Sequence, residues 1–347
     1  MNSHPSMFEQ SLRKLFRPGK PVFVALAAGV IALTGVMPSS AQAKTAPQAG
    51  SYGRFIRGAF NPSYLALKFG WLPKGGATTG GETQPAFEEL DASVSTSEQW
   101  LFTAYAKDVC RAVPAERKFQ CSQLVDPLQP TIPMTGRGPV IDGHRSWWIQ
   151  GLPADLAFEY APGAWAVVES LVRTGSKATV VRIASKTEFG RHIPFRFANR
   201  FTSLPSGWQI IATDFGTGNG EYQPDAYKIL KLRTISPATP VTMDNDTAPD
   251  VPWIGVIPEF NGGHGCQHAK SGHVTINGHR YYLSYAKVTK HRYSQTVNCG
   301  DVDGLDVYVS EIGPGVHPRF VLSAIQIVQR MKLLGPKPAD WVTNPIP

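Results

Sequence analysis

A five-residue motif occurs twice in this chain, and that duplication constrains the fold more than any other feature. Ile141-Asp142-Gly143-His144-Arg145 returns as Ile276-Asn277-Gly278-His279-Arg280, 135 residues on, and bulky aromatics follow each copy, Trp147-Trp148 and Tyr281-Tyr282. A second pair lies upstream: Phe69-x-x-Leu72-Pro73-x-Gly75 and Phe201-x-x-Leu204-Pro205-x-Gly207, 132 residues apart. Two motifs in one order at nearly one period predict two tandem copies of a domain. A chain of 347 residues gives each copy enough length for its own core.

Local patterns fill in each copy. Asp-Gly and Asn-Gly between apolar residues mark two-residue hairpins. The apolar, aromatic runs 100–106, 156–160, 165–172, 253–257 and 305–312 read as strands, and 110–133 as a long loop tied down by a disulfide. Segments 176–189 and 317–334 carry apolar side chains near helical spacing and stop at Gly190 and Gly335-Pro336. The expected class is therefore α+β: two tandem domains, each a curved antiparallel sheet with one C-terminal helix packed on it. The domains are 65–191 and 192–335, preceded by a linker (44–64) and followed by an irregular tail (336–347).

The N-terminus speaks for export. Arg13, Lys14, Arg17 and Lys20 precede an apolar run over 21–37, and Ala41-Gln42-Ala43 forms a small-x-small cleavage site. Residues 1–43 read as a signal peptide; left uncleaved, 21–37 would instead anchor the chain to a membrane. Part of the +8 formal charge lies in this segment. The remaining surplus of basic residues suits anionic envelope polymers or headgroups. With no Lys/Arg cluster interleaved with aromatics, it does not suit nucleic acid. Four cysteines, Cys110 and Cys121 in the first copy and Cys266 and Cys299 in the second, fit an oxidising compartment. Of the three connectivities, local pairing is favoured.

Several constellations bear on chemistry. Five of the nine histidines, His264, His268, His273, His279 and His291, fall within 28 residues. A zinc or copper site from His264, His268 and His273 would make the chain a metal-binding protein or metal-dependent hydrolase. The spacing follows no strong zinc signature, however, and a surface loop explains it as well. Ser284-x-x-Lys287 needs a helix to bring Lys to Ser, and it falls on a predicted strand. Asp301-x-Asp303-Gly304-x-Asp306 lacks the distal Glu of a calcium loop and reads as a polar turn. The aromatics Trp147, Trp148, Tyr160 and Trp165, and Tyr281, Tyr282 and Tyr285, occupy neighbouring predicted strands. Adjacent strand residues face opposite ways, so one of each pair can be core and the other a binding surface. Arg145, Trp147, Trp148, Arg280, Tyr281 and Tyr282 are the candidate binding residues, and no residue is assigned to catalysis.

The order Leu-Pro-x-Gly, a strand pair, Val274-x-Ile276-Asn277-Gly278-x-x-x-Tyr282, a strand and a final helix resembles a bacterial domain of unknown function. That domain is found in extracytoplasmic parts of anti-sigma-like proteins and predicted lipoproteins. The second copy fits it better than the first, which keeps Leu72-Pro73-x-Gly75 and Ile141-Asp142-Gly143 but carries a cysteine-bearing insertion. The resemblance implies an exported sensing, binding or scaffolding module and supplies no catalytic residues. With only about 20 residues ahead of the apolar run, no sigma-binding domain is expected there. The reading is an envelope-associated or secreted binding or scaffold protein, without catalysis or cofactor, whose partner is an envelope polymer or another protein. Zinc enters only in the alternative built on the histidine loop.

Overall fold

The structure is a computed structural model and describes residues 60–95, 98–121, 131–151, 155–171, 175–218, 221–231, 252–258, 272–289, 292–314 and 322–347. The leader, most of the linker, and His264, Cys266, His268 and His291 lie outside the described residues. The chain divides between Ile193 and Pro194 into two compact units.

The first unit contains β1 (Tyr64–Leu65), β2 (Lys68–Phe69), β3 (Ala77–Gln84), β4 (Phe87–Ser95), β5 (Glu98–Tyr105), β6 (Cys110–Val113) and β7 (Lys118–Cys121). It continues with β8 (Thr131–Arg137), β9 (Ser146–Ile149), β10 (Asp155–Ala161), β11 (Ala164–Ser170), α1 (Lys177–Lys186) and β12 (Thr187–Glu188). Its sheet runs β3-β4-β5-β11-β10-β9-β8-β7-β6. Strands β10 and β11 lie at its middle and read as nearly unbroken apolar runs, which requires cover on both faces. Leu156, Ala157, Phe158, Val167 and Val168 are accordingly at most 1% exposed. On one face, Phe119 of the β6–β7 hairpin packs edge-on against Trp165, ring centres 5.6 Å apart. On the other, Phe102 meets Phe158 and Phe189 at 6.1 and 5.9 Å. Helix α1 lies against β10 and β11 and buries Val180, Ile183 and Ala184. It starts where the Ser176 hydroxyl accepts the Thr179 N–H at 3.0 Å, a cap worth about 1 kcal/mol.

The second unit begins within β13 (Ile193–Pro194) and contains β14 (Asn199–Phe201), β15 (Trp208–Gly218), β16 (Glu221–Lys231), β17 (Trp253–Pro258) and β18 (His273–Ile276). Strands β19 (His279–Thr289), β20 (Arg292–Val302) and β21 (Leu305–Pro314) follow, then α2 (Ala324–Arg330) and β22 (Met331–Leu333). Its sheet order is β18-β19-β20-β21-β17-β16-β15. From β15 to β19 this matches β3-β4-β5-β11-β10-β9 strand for strand. Both first strands carry a bulge at the same place, Thr78/Gly80 and Ile210/Ala212. Ser323 caps α2 as Ser176 caps α1, here in a full capping box with Gln326. Ala324, Ile327 and Val328 are the buried residues of α2. Each helix leads into a short strand that pairs beside the Leu-Pro-x-Gly turn, Thr187 with Phe69 and Met331 with Phe201.

Three sequence expectations need correction. The α+β class does not hold, because the described residues are 61% strand and 10% helix and the fold is therefore mostly β. The helix read over 317–334 overreaches: α2 has seven residues, and Met331–Leu333 turn extended to pair with β14. Among the described residues of 110–133 there is a hairpin where a loop was expected, with Cys110 and Cys121 directly opposite each other. Their Cα atoms are 4.0 Å apart, close to the spacing of a non-hydrogen-bonded antiparallel pair, and the two are joined by a disulfide. Cys299 is buried, and no described cysteine is free.

The segment entering β2 is held by a buried carboxyl group. Glu88 on β4 has no exposed surface, and its carboxylate accepts the Ala66 N–H (2.9 and 3.0 Å to its two oxygens) and the Leu67 N–H (2.6 Å). Burial outweighs these donors and pushes its pKa from the ordinary 4.5 up to about 8. A carboxyl with a raised native pKa holds its proton more tightly folded than unfolded. Its contribution is complete below about pH 4.5 and is lost as pH rises toward 8. The melting temperature of the wild-type protein is therefore expected to fall between pH 5 and 8, and Glu88→Gln should flatten that slope. A slope that Glu88→Gln leaves unchanged would contradict the assignment. Separately, replacing Cys110 and Cys121 by Ala should lower unfolding free energy by about 2–4 kcal/mol in urea titrations. An unchanged midpoint would mean the bridge constrains nothing that folding orders.

Candidate functional site

The repeated motif is a turn in both units. Ile141 and His144 exchange backbone hydrogen bonds of 3.0 and 2.8 Å, closing a two-residue loop in which Asp142 and Gly143 have φ of 48° and 85°. In the second unit Ile276 pairs with His279, and Asn277 and Gly278 have φ of 52° and 84°. Positive φ at both central positions selects Asn or Asp followed by Gly, so turn geometry alone accounts for these motif residues.

The aromatic and basic candidates then divide by what each touches. In the first unit, Arg145 donates to Glu159 at 2.8 Å and lies 5.4 Å from the Trp165 ring centre. Trp147 packs against the cluster around Phe119 and Trp165. Trp148 is half-buried under the Lys177 ammonium, 4.4 Å from its ring centre. Tyr160 is fully buried and donates its hydroxyl to the Tyr105 carbonyl at 2.9 Å. The first unit thus uses its candidates internally.

The second unit does not. Tyr281 is 3% exposed and belongs to the core, with burial, then the Asp303 charge, pushing its pKa up to about 12. Tyr282 is 41% exposed and Tyr285 60%. These two are the exposed large aromatics among the described residues, and they project from opposite faces of β19. The Tyr285 hydroxyl accepts the Gln295 side-chain amide at 2.8 Å, which orients the ring at the sheet margin. Arg280 is exposed and sits against His273.

Sequence reasoning missed a set of carboxyl groups in the first unit. Glu89 on β4 stands opposite Glu82 on β3 and Thr103 on β5. Its pKa is raised, chiefly by burial and then by the charges of Asp91, Glu82 and Glu169. Asp155 is pushed up to about 8 by burial and then by Glu169, while the Ser170 N–H at 3.2 Å pulls the other way. The alternation within 87–95 and 98–105 places Glu89 and Thr103 on one face, but only the strand order brings Glu169 and Asp155 alongside them. Burial thus favours the protonated form of both Glu89 and Asp155.

The remaining constellations are quickly placed. His264 and His268 are outside the described residues. His273 opens β18 with its Nε2 turned to the Arg280 guanidinium, the wrong neighbour for a bound cation. Among the described residues, no three His, Cys, Asp or Glu side chains are grouped to hold a metal. Ser284 and Lys287 lie on β19, where residues three apart face opposite sides. Asp303-Gly304, with φ of 55° and 78°, makes a tight turn between β20 and β21.

The chain matches no protein-family model and no curated protein sequence. Among solved structures it is similar to "The complex structure of Pseudomonas aeruginosa MucA/MucB", at 9% identity over 74% of this chain and 93% of that one, with a TM-score of 0.22. It is also similar to "Crystal structure of MucB in complex with MucA(peri)", at 8% identity over 74% and 92%, with a TM-score of 0.21. Likenesses this weak carry no argument about the fold or function of this chain.

Proposed function

We propose that this chain is an exported, non-catalytic binding or scaffold protein of the cell envelope, built from two copies of one domain and engaging a protein partner through the second. One observation carries the reading: Tyr282 and Tyr285 stand exposed on a strand whose counterpart in the first unit has its aromatics covered. Tyrosine offers a large apolar area at low conformational cost with a polar end, the chemistry of a contact residue. The matching strand order, bulges and helix packing support the two copies. The likeness to the Leu-Pro-x-Gly domain belongs to this proposal as well. The Cys110–Cys121 bridge supports a location outside the cytoplasm, where disulfides persist.

Two measurements test the proposal. The intact mass of the exported protein should correspond to a chain beginning at Lys44; retention of residues 1–43 would instead favour the anchor. A photo-reactive phenylalanine analogue at position 285 should yield a discrete protein adduct in intact cells, while the same analogue at Val140, 66% exposed in the first unit, should not. No adduct at 285, or equal adducts at both positions, would contradict a binding role for β19.

A further inference from the structure

We propose that the Leu72-Pro73 turn of the first unit, together with the outward face of α1, rests on an anionic lipid surface. The inference goes beyond the reading above, which concerns β19, and shares with it only the envelope location.

The duplication supplies the first observation, because each unit contains the same turn. Gly75 and Gly207 close it with φ of 82° and 89°. Phe69 and Phe201 enter it from strands that pair with the stretch after each helix. In the second unit Thr202, Ser203 and Ser206 line the turn, all small, polar and exposed. In the first, Trp71 stands in the place of Ser203 and Lys74 in the place of Ser206. The turn forms without an indole or an ammonium, so turn chemistry accounts for neither. The helices differ in the same sense. Thr187 pairs with Phe69 as Met331 pairs with Phe201, and five residues before each stand Arg182 in α1 and Gln326 in α2.

These differences gather cations around one aromatic tip. The Arg182 guanidinium lies 4.1 Å from the centre of the Trp71 ring. The Gly70 N–H bonds to the Lys186 carbonyl at 3.0 Å, which brings the turn against the end of α1. Trp71, Leu72 and Pro73 are half-buried, while Lys68, Lys74, Arg182 and Lys186 are exposed. Helix α1 contains no Asp or Glu. The neighbouring carboxylate, Glu188, is engaged by Arg191, whose Nε donates to it at 2.6 Å. Among the described residues no ion pair takes up Lys68, Lys74, Arg182 or Lys186.

This composition selects the occupant. An indole favours the headgroup boundary of a bilayer, and each Lys or Arg held near an anionic surface adds to the attraction. A soluble acidic chain would satisfy the four cations and leave the Trp71-Leu72-Pro73 tip in water. A layer of anionic headgroups over acyl chains serves both.

The test is cosedimentation of the full exported protein with vesicles of phosphatidylcholine alone and of phosphatidylcholine mixed with phosphatidylglycerol. Binding is expected to the mixed vesicles only, and to weaken as salt is raised. The triple variant Trp71→Ser, Lys74→Ser, Arg182→Gln borrows its residues from the second unit. It should bind about 25-fold more weakly or worse, since each of the two lost charges counts for about fivefold. Lys68→Gln leaves the turn and helix as they are and should cost about fivefold, which decides the matter if the triple variant does not fold. The proposal is overturned if the mixed vesicles do not bind, or if the folded triple variant or Lys68→Gln binds them as the wild type does. Equal binding to neutral vesicles also overturns it, since the apolar run 21–37 would then be the part that holds the protein. So does displacement by soluble polyglutamate with no effect of Trp71→Ser, since the occupant is then an acidic chain. None of these results bears on β19, which the adduct at position 285 decides.

Discussion

Every strand of an antiparallel sheet offers a row of N–H and C=O groups on each side, and the rest of this structure follows from how those rows are met. The first unit meets its outer row by continuing past β9 with three more strands and clamping the last two with the Cys110–Cys121 bridge. That hairpin also supplies Phe119, which covers Trp165 and closes one face of the sheet. The second unit has the same sequence of strands up to β19 and then a four-residue β18. Among the described residues, the large aromatics left exposed, Tyr282 and Tyr285, stand on β19.

Much of this was legible in the sequence because its signals were local. Asp142-Gly143 and Asn277-Gly278 predict tight turns, since few other residue pairs accept positive φ twice in succession. Ser176 stands where the first helix was expected to begin and does begin, whereas Ser323, inside the expected 317–334, marks the later start of α2. The class was misread because length in a helix depends on packing more than on periodicity. Met331 has the spacing to extend α2, but it is buried opposite Phe201, and pairing with β14 wins over another helical turn. The hairpin of β6 and β7 was mistaken for a loop because four-residue strands carry little periodic signal.

The candidate site was only half legible. Alternation says that one residue of a Tyr281-Tyr282 pair faces the core, but not which; the register places Tyr281 inside and Tyr282 outside. Trp147 and Trp148 look equally available in sequence, yet the disulfide-bearing hairpin and Lys177 occupy them. Burial also converts Glu88 and Asp155 into groups that keep protons near neutral pH. No residue-level pattern announces that, because it depends on the strands laid on either side.

The claim that most needs testing is that the exposed tyrosines of β19 are contact residues. Tyrosine nitration, mapped by mass spectrometry in the purified protein and in intact cells, addresses it directly. The account predicts that Tyr282 and Tyr285, exposed in the free protein, react when purified and are protected in cells. Equal reactivity in both settings would contradict a binding role for β19.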